Sequence, residues 1–304
     1  MRGVFVDAND SLAEIFERQR RDGDPDVRVH QDPNIEPEQW PAILGGAEIG
    51  VVDHTALPTA IAKQCTGLKH VVFLGTGARS YMNPDELAEL GVSVHLIKGY
   101  GDTAVAESAI ALMWASARVL AQMDREMRAG NWLREDAMQL TGKTLGLVGF
   151  GGIAAEVARI AKGAGMRVIA WNRSPKQHPG VEFVPLDRLL ADSNVVSIHL
   201  LLNDETRGFI TREKIAAMRP GVILVNTARG AIVDEAAMIE ALRSGHIRHA
   251  GLDVFNIEPL PKDHPLTKIP NVTLSAHSAF RTPEASENLI HAAWEHCRRV
   301  ARGG

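Results

Sequence analysis

The residues with the most evident chemistry fall into two groups, and the first is a glycine string. Thr144-Leu145-Gly146-Leu147-Val148-Gly149-Phe150-Gly151-Gly152-Ile153-Ala154 reads as a strand running into a glycine turn and then a helix. Gly149 permits the tight turn, and Gly151 lets the backbone approach a pyrophosphate at the helix N-terminus. Ala154 takes a third slot, where a small residue allows close helix–strand packing. Such a string means little alone, but a strand before it and a helix after it supply the context of a dinucleotide loop. Gly149, Gly151, Gly152 and Ile153 are therefore the expected contacts to a cofactor pyrophosphate. The next strand ends at Trp171-Asn172-Arg173-Ser174, about where an acidic residue would grip the adenosine ribose. Asn172 removes the repulsion that a carboxylate exerts on a 2′-phosphate, and Arg173 offers a planar cationic donor beside Ser174. This combination favours NADP over NAD.

The second group is a cation, a carboxylate and an imidazole farther along the chain: Arg229, Glu258 and His277. A guanidinium can bind a carboxylate through two hydrogen bonds while polarising an adjacent carbonyl. An imidazole both donates and accepts a proton near neutral pH. A carboxylate bonded to that imidazole fixes its tautomer and favours its cationic form. Those are the groups that reduction of a 2-keto acid requires. Taken singly, each has an ordinary alternative: Arg229 as a loop cap, Glu258 before Pro259 as a turn residue, His277 as a satisfied loop histidine. Their value lies in occurring as an ordered set downstream of a dinucleotide loop.

The run Asn226-Thr227-Ala228-Arg229-Gly230, then Leu252-Asp253-Val254-Phe255-Asn256-Ile257-Glu258-Pro259, then His277 resembles the D-isomer-specific 2-hydroxyacid dehydrogenase family, in its order and at its spacing. Further matches are Gly75-Thr76-Gly77, Val105-Ala106-Glu107, Leu140-Thr141-Gly142-Lys143-Thr144, and His199 with Thr206-Arg207-Gly208-Phe209-Ile210, so that the likeness runs from about Val71 to Ala285. The resemblance implies hydride transfer between NAD(P)H and a small 2-keto or D-2-hydroxy acid. It gives Arg229 the substrate carboxylate and His277 the acid/base role, paired with Glu258. It also implies that Thr227 and Ala228 contact the cofactor, that Asp253 binds the nicotinamide carboxamide, and that the amides of Thr76 and Gly77 cradle the substrate carboxylate. Glyoxylate and hydroxypyruvate are the first substrates expected, because Asn172-Arg173-Ser174 looks like the NADP-using reductases of the family. Phosphoglycerate is less expected, since the chain stops at Gly304 with no room for an added regulatory domain. Formate or phosphite oxidation stays open on the same scaffold.

The sequence departs from the family at several places. Ala276 stands where a proline often precedes the catalytic histidine, and Ser278-Ala279-Phe280 replaces a glycine-rich continuation. Leu201 stands where a proline is common. The cradle continues as Ala78-Arg79-Ser80-Tyr81, and the role of Arg79 and Tyr81 is open.

These residues need a scaffold, and the chain is patterned for an α/β one. Near-continuous apolar runs at Gly3–Asp7, Ile49–Asp53, His70–Leu74 and Val92–Leu96 read as strands covered on both faces. A second set follows at Thr144–Val148, Arg167–Trp171, Val195–Leu200, Val222–Asn226, Gly251–Val254 and Val272–Ser275. Helical patterns alternate with them, which indicates two doubly wound domains. The expected arrangement is a Rossmann dinucleotide-binding domain (99–282) inserted into a flavodoxin-like substrate domain (1–98 and 283–304). From Thr103 to about Ala129 runs one Ala-rich helical segment, apolar nearly all round in its first half and ended by Gly130. Such a helix suits burial at an interface, and the family dimerises through that region, so a homodimer is expected.

Composition narrows the classes further. The 304 residues carry 33 Lys plus Arg against 37 Asp plus Glu, a net charge of -4, which disfavours nucleic acid and polybasic membrane contact. Cys65 and Cys297 form no metal or redox spacing, and His246 and His249 gain no third ligand, so no metal is expected. No apolar leader follows Met1-Arg2, and the apolar stretch Ala104–Ala117 contains Glu107, so a cytoplasmic protein without a membrane span is expected. An NAD(H)-sensing corepressor or scaffold on the same fold is the alternative, disfavoured by the lack of a tail or charged interaction arm.

Overall fold

Twelve parallel strands form two separate sheets in the computed structural model, which describes residues 1–303. The chain divides into two units, residues 1–101 with 281–304 and residues 102–280. Each is a doubly wound sheet with helices on both faces.

The first unit holds β1 (Arg2–Phe5), β2 (Asp26–Val29), β3 (Ile49–Val52), β4 (His70–Phe73) and β5 (Ser93–Leu96) in the order β2-β1-β3-β4-β5. That is the flavodoxin-like order. Side chains alternate across the sheet as the pleat requires. Val4 and Val6 point into one core with Trp40 and Val71, while Phe5 points into the other with Phe16, Ile49 and Trp294. Trp294 belongs to the C-terminal helix Pro283–Ala301, which returns to this unit. Its ring is fully buried and stacks on Phe16 at 4.3 Å, and its Nε1 donates to the Phe16 carbonyl at 2.9 Å. Removal of such a ring costs about 3–5 kcal/mol.

The second unit holds β6 (Thr144–Val148), β7 (Arg167–Trp171), β8 (Glu182–Phe183), β9 (Val195–Ile198), β10 (Val222–Asn226), β11 (Ile247–Leu252) and β12 (Val272–Leu274). Their order is β12-β11-β10-β9-β6-β7-β8. Read from β6 outward this is the Rossmann order, with the reversal of winding between β6 and β9. Asn226 pairs in register with both Ile198 and Leu252, and Leu252 pairs with Leu274. The loops after β9, β10, β11 and β12 therefore leave the sheet side by side at its carboxyl edge, where ligands of open α/β sheets bind.

Three sequence expectations need correction. The segment Thr103–Ala129 is two helices, Asp102–Ala117 and Leu120–Arg128, bent by 63° at a break where Val119 adopts a left-handed φ of 56°. β2 and β8 add two edge strands that the apolar runs did not mark. The spacing of His246 and His249 places both in the loop before the Asp253 strand, whereas His249 lies inside β11 with its ring buried and its Nε2 3.0 Å from Thr273 Oγ1. Among the described residues, no single helix is long and apolar enough to cross a membrane.

Candidate active site

The glycine turn after β6 is built by close backbone approach. Gly149 has φ 89°, and a Cβ there would lie 2.6 Å from the His199 carbonyl oxygen at the end of β9. Only glycine fits both demands. Its amide donates to Trp171 O at 2.9 Å, tying the turn to the end of β7. At Gly151 an added Cβ would meet nothing within 4 Å, so this backbone faces open space, and Gly152 begins the helix Gly152–Gly163. Ala154 is fully buried against the sheet. The backbone thus offers an uncovered helix N-terminus of the kind that seats a phosphate pair.

Asn172 is occupied in shaping that turn. Its Oδ1 accepts from the Phe150 amide at 3.2 Å and its Nδ2 donates to Ser174 O at 2.8 Å. Lys176, which the sequence reading did not single out, donates from Nζ to Phe150 O at 2.5 Å. Arg173 is exposed and ion-paired with Glu205, also exposed and also absent from the sequence reading. Three cationic or polar side chains, Arg173, Ser174 and Lys176, therefore follow β7 beside the glycine turn. His199 is held neutral, its pKa lowered to about 4 by burial, and its Nε2 lies 2.9 Å from Ser197 Oγ.

Past β10, the Asn226 side chain folds the next loop back on itself. Its Oδ1 accepts from the Ala228 amide at 3.0 Å, and its Nδ2 donates to Arg229 O at 3.0 Å. Arg229 donates from Nη1 to Ala228 O at 2.7 Å. Gly230 lies so close to the Phe255 backbone that a Cβ would sit 2.1 Å from the Phe255 carbonyl carbon. The arginine loop is thereby packed against the segment leading to Glu258. Thr227 is buried, and its Oγ1 has no hydrogen-bond partner among the described residues. Such an orphan at the carboxyl end of β10 fits a site that takes a polar ligand.

Glu258 and His277 meet directly. His277 Nδ1 lies 2.6 Å from Glu258 Oε2, while Glu258 Oε1 accepts from the Phe255 amide at 2.9 Å. The carboxylate is fixed at both oxygens, so it fixes the ring in turn. Each side chain is about one-third exposed, at 34%. With Nδ1 engaged by the carboxylate, Nε2 is the ring nitrogen left to face a substrate. Phe280 stands edge-on to the imidazole, at 6.3 Å between ring centres.

His277 has φ 50°, a left-handed conformation that costs a non-glycine residue roughly 1–3 kcal/mol. Asp253 holds it there. The His277 amide donates to Asp253 O at 2.7 Å, and the Asp253 carboxylate accepts from the amides of Ser278 and Ala279, each at 3.0 Å. Asp253 is 1% exposed. In this structure its carboxylate is directed at the histidine loop, a contact that its position at a strand end did not reveal.

Thr76 and Gly77 lie in the first unit, in the turn after β4, where Gly75 N donates to Phe73 O at 2.8 Å and Gly75 O accepts from Ile97 N at 3.0 Å. Tyr81 packs on Phe73 at 5.4 Å, and Arg79 pairs with Asp85 at 2.9 Å on the surface. The remaining expected residues, from Gly149 to His277, all belong to the second unit and sit at the carboxyl ends of its strands.

Residues 110–279 match the model of the D-isomer specific 2-hydroxyacid dehydrogenase NAD binding domain. A glyoxylate reductase of Aeropyrum pernix is 41% identical over 99% of this chain and 92% of its own length. A hydroxypyruvate reductase of Thermotoga maritima is 37% identical over 84% of this chain and 85% of its own. The crystal structure of the TT0316 protein from Thermus thermophilus superposes with a TM-score of 0.87 at 33% identity, covering 100% of this chain and 97% of that one. The chain belongs to the D-isomer-specific 2-hydroxyacid dehydrogenase family: it is an NAD(P)-dependent oxidoreductase of small 2-keto and 2-hydroxy acids.

Proposed function

We propose that the protein reduces glyoxylate to glycolate, or hydroxypyruvate to the D-configured 2-hydroxy acid, with NADPH, His277 acting as the proton donor. The observation that carries this reading is the 2.6 Å contact between His277 Nδ1 and a Glu258 carboxylate fixed at both oxygens. With Nδ1 bonded to that carboxylate, Nε2 is the ring nitrogen that gives its proton to the ketone oxygen. Arg229 binds the substrate carboxylate through its guanidinium and draws electron density from the neighbouring carbonyl, which stabilises charge developing on oxygen. The amides of Thr76 and Gly77, in the turn after β4, can cradle a carboxylate. In the reverse direction neutral His277 takes the hydroxyl proton.

The nicotinamide supplies the hydride when the cofactor is bound. Gly149, Gly151, Gly152 and Ile153 would hold its pyrophosphate, and Thr227, Ala228 and Asp253 its nicotinamide end. Arg173 and Ser174, with Asn172 in place of an acid, would hold a 2′-phosphate; Lys176 adds a second cation to that corner. Glyoxylate and hydroxypyruvate are favoured because the relatives named above carry those activities in their names and because Arg173 suits NADPH. The reading is tested by following loss of NADPH and NADH absorbance against glyoxylate, hydroxypyruvate, pyruvate and phenylpyruvate, with chiral analysis of the products. Turnover of the first two with NADPH is expected, with a D-configured product from hydroxypyruvate. Cofactor binding without reduction of any of the four acids would overturn it in favour of a sensing role.

The assembly we propose is a homodimer through the helices that span 102–128. Leu120, Met127 and the nearby Trp132 are all more than half exposed, which is unusual for large apolar side chains so closely grouped. Light scattering at micromolar concentration should give twice the 33.0 kDa chain mass. A monomer would overturn the assignment.

A further inference from the structure

A carboxylate lies beside the helix terminus that the dinucleotide loop presents. Asp102 opens the helix Asp102–Ala117, which packs on the helix Gly152–Gly163. A Cβ added at Gly152 would lie 1.8 Å from Asp102 Oδ2 and 2.8 Å from its Cγ. The acid therefore rests against the α-carbon of the first helical residue, and only the missing side chain of Gly152 gives it room. Gly152 is thus made necessary by Asp102 as well as by any phosphate. Next to it, Gly151 faces open space.

Two kinds of negative charge converge on one terminus. The N-terminus of a helix favours one anion through its unsatisfied amides and its dipole. A pyrophosphate brought to the same amides meets the Asp102 carboxylate at close range, in a partly desolvated place where charges are weakly screened. The surroundings do not offset this. Glu156, one turn into the Gly152 helix, adds to the negative potential and is itself bound to Arg159 at 2.9 Å. His199 is neutral, and the Lys176 ammonium is engaged by Phe150 O. Burial, then the charge of Glu156, push the Asp102 carboxyl above its ordinary value.

We propose that Asp102 is a charge gate on the dinucleotide site: a cofactor pyrophosphate seats at Gly151-Gly152 when the Asp102 carboxyl has taken a proton from solvent, or has turned aside. The inference rests on the proposed cofactor placement. It adds that dinucleotide affinity depends on pH through a group that touches neither the substrate nor the 2′-phosphate. Both NADH and NADPH are affected alike, because they share the pyrophosphate, which separates this effect from that of Arg173.

The test is titration of the protein and its D102N variant with NADH, followed by nicotinamide fluorescence from pH 5.5 to 8.5. NADH is used because it lacks the titrating 2′-phosphate. The wild-type Kd should weaken roughly tenfold toward high pH, about 1.4 kcal/mol. D102N should bind with little pH dependence and about tenfold more tightly at pH 8.5. Calorimetry of the unmutated protein in two buffers of different ionisation enthalpy should show proton uptake on binding, a readout independent of any variant. Adenosine 2′-monophosphate, which has no pyrophosphate, should bind both proteins equally. If NADH binds both proteins with the same Kd and the same pH slope, the gate is overturned while the cofactor site stands. If neither protein binds NADH or NADPH, the gate falls together with the reading it rests on.

Discussion

The backbone amide of His277 donates to the carbonyl oxygen of Asp253 at 2.7 Å, and through this contact a buried aspartate sets the posture of the proposed catalytic imidazole. Asp253 then continues along the loop, its two carboxylate oxygens taking the amides of Ser278 and Ala279. Glu258 fixes the ring and Asp253 fixes the chain that carries it. The left-handed φ of His277 persists because both constraints act at once.

Replacing Asp253 by Asn separates these two supports. An asparagine offers one acceptor oxygen and turns an NH2 toward the second amide, so a buried donor is left facing a donor. The expected cost is about 2–3 kcal/mol of stability, read as a lowered Tm. The turnover number should fall while Kd for the substrate changes little, since Arg229 lies on a different loop. A variant with unaltered Tm and turnover would show that the loop holds its shape without Asp253.

Glu258→Gln keeps the size of the side chain and its contact to the Phe255 amide, but removes the charge beside His277 Nδ1. The imidazolium loses its counter-ion, and kcat for keto-acid reduction should drop by about 10²-fold. Dinucleotide affinity should be unchanged, because the glycine turn is elsewhere in the unit. Equal kcat in the variant and the parent would remove Glu258 from the mechanism.

Arg173 pairs on the surface with Glu205, and an exposed pair of this kind contributes at most about 1 kcal/mol. The arginine is therefore readily drawn away by a 2′-phosphate. Arg173→Ala should raise KM for NADPH about tenfold, equivalent to about 1.4 kcal/mol, and leave KM for NADH in place. Parallel loss with both cofactors would contradict the assignment of this corner to the 2′-phosphate.

His249 is buried in β11, and burial followed by the charges of Arg125 and Arg248 lowers its pKa to about 4. The unfolded chain binds a proton at that imidazole near pH 6.5, whereas the folded chain resists it down to about 4. Stability from this group is therefore complete above pH 6.5 and is lost as pH falls toward 4, by about 3 kcal/mol in all. Denaturant unfolding at pH 7 and pH 4.5 should show the loss, and His249→Gln should reduce it. The same slope in both proteins would assign acid sensitivity to other groups.

Much of this arrangement was legible in the sequence because the chemistry sits next to strands that announce themselves. The apolar runs ending at Val148, Asn226 and Leu274 are followed at once by the glycine turn, the Arg229 loop and the His277 loop. β2 was not legible: in Asp26-Val27-Arg28-Val29 only Val27 is fully buried, as suits an edge strand. The break at Val119 has no glycine or proline to mark it, and a β-branched residue in left-handed conformation is imposed by packing. Asp102, Lys176 and Glu205 were missed for a related reason. Each acts on a residue distant in the chain, Gly152, Phe150 and Arg173 respectively, and no local pattern encodes that meeting.

In the proposed reaction His277 donates the proton to a keto acid while the dinucleotide is held by other residues. The most direct measurement compares the protein with His277→Ala, taking kcat for hydroxypyruvate reduction alongside Kd for NADPH from fluorescence. In the variant kcat should fall by about 10²–10⁴-fold with Kd unchanged to within a factor of about two. Retention of turnover in the variant, with NADPH still bound, would contradict it.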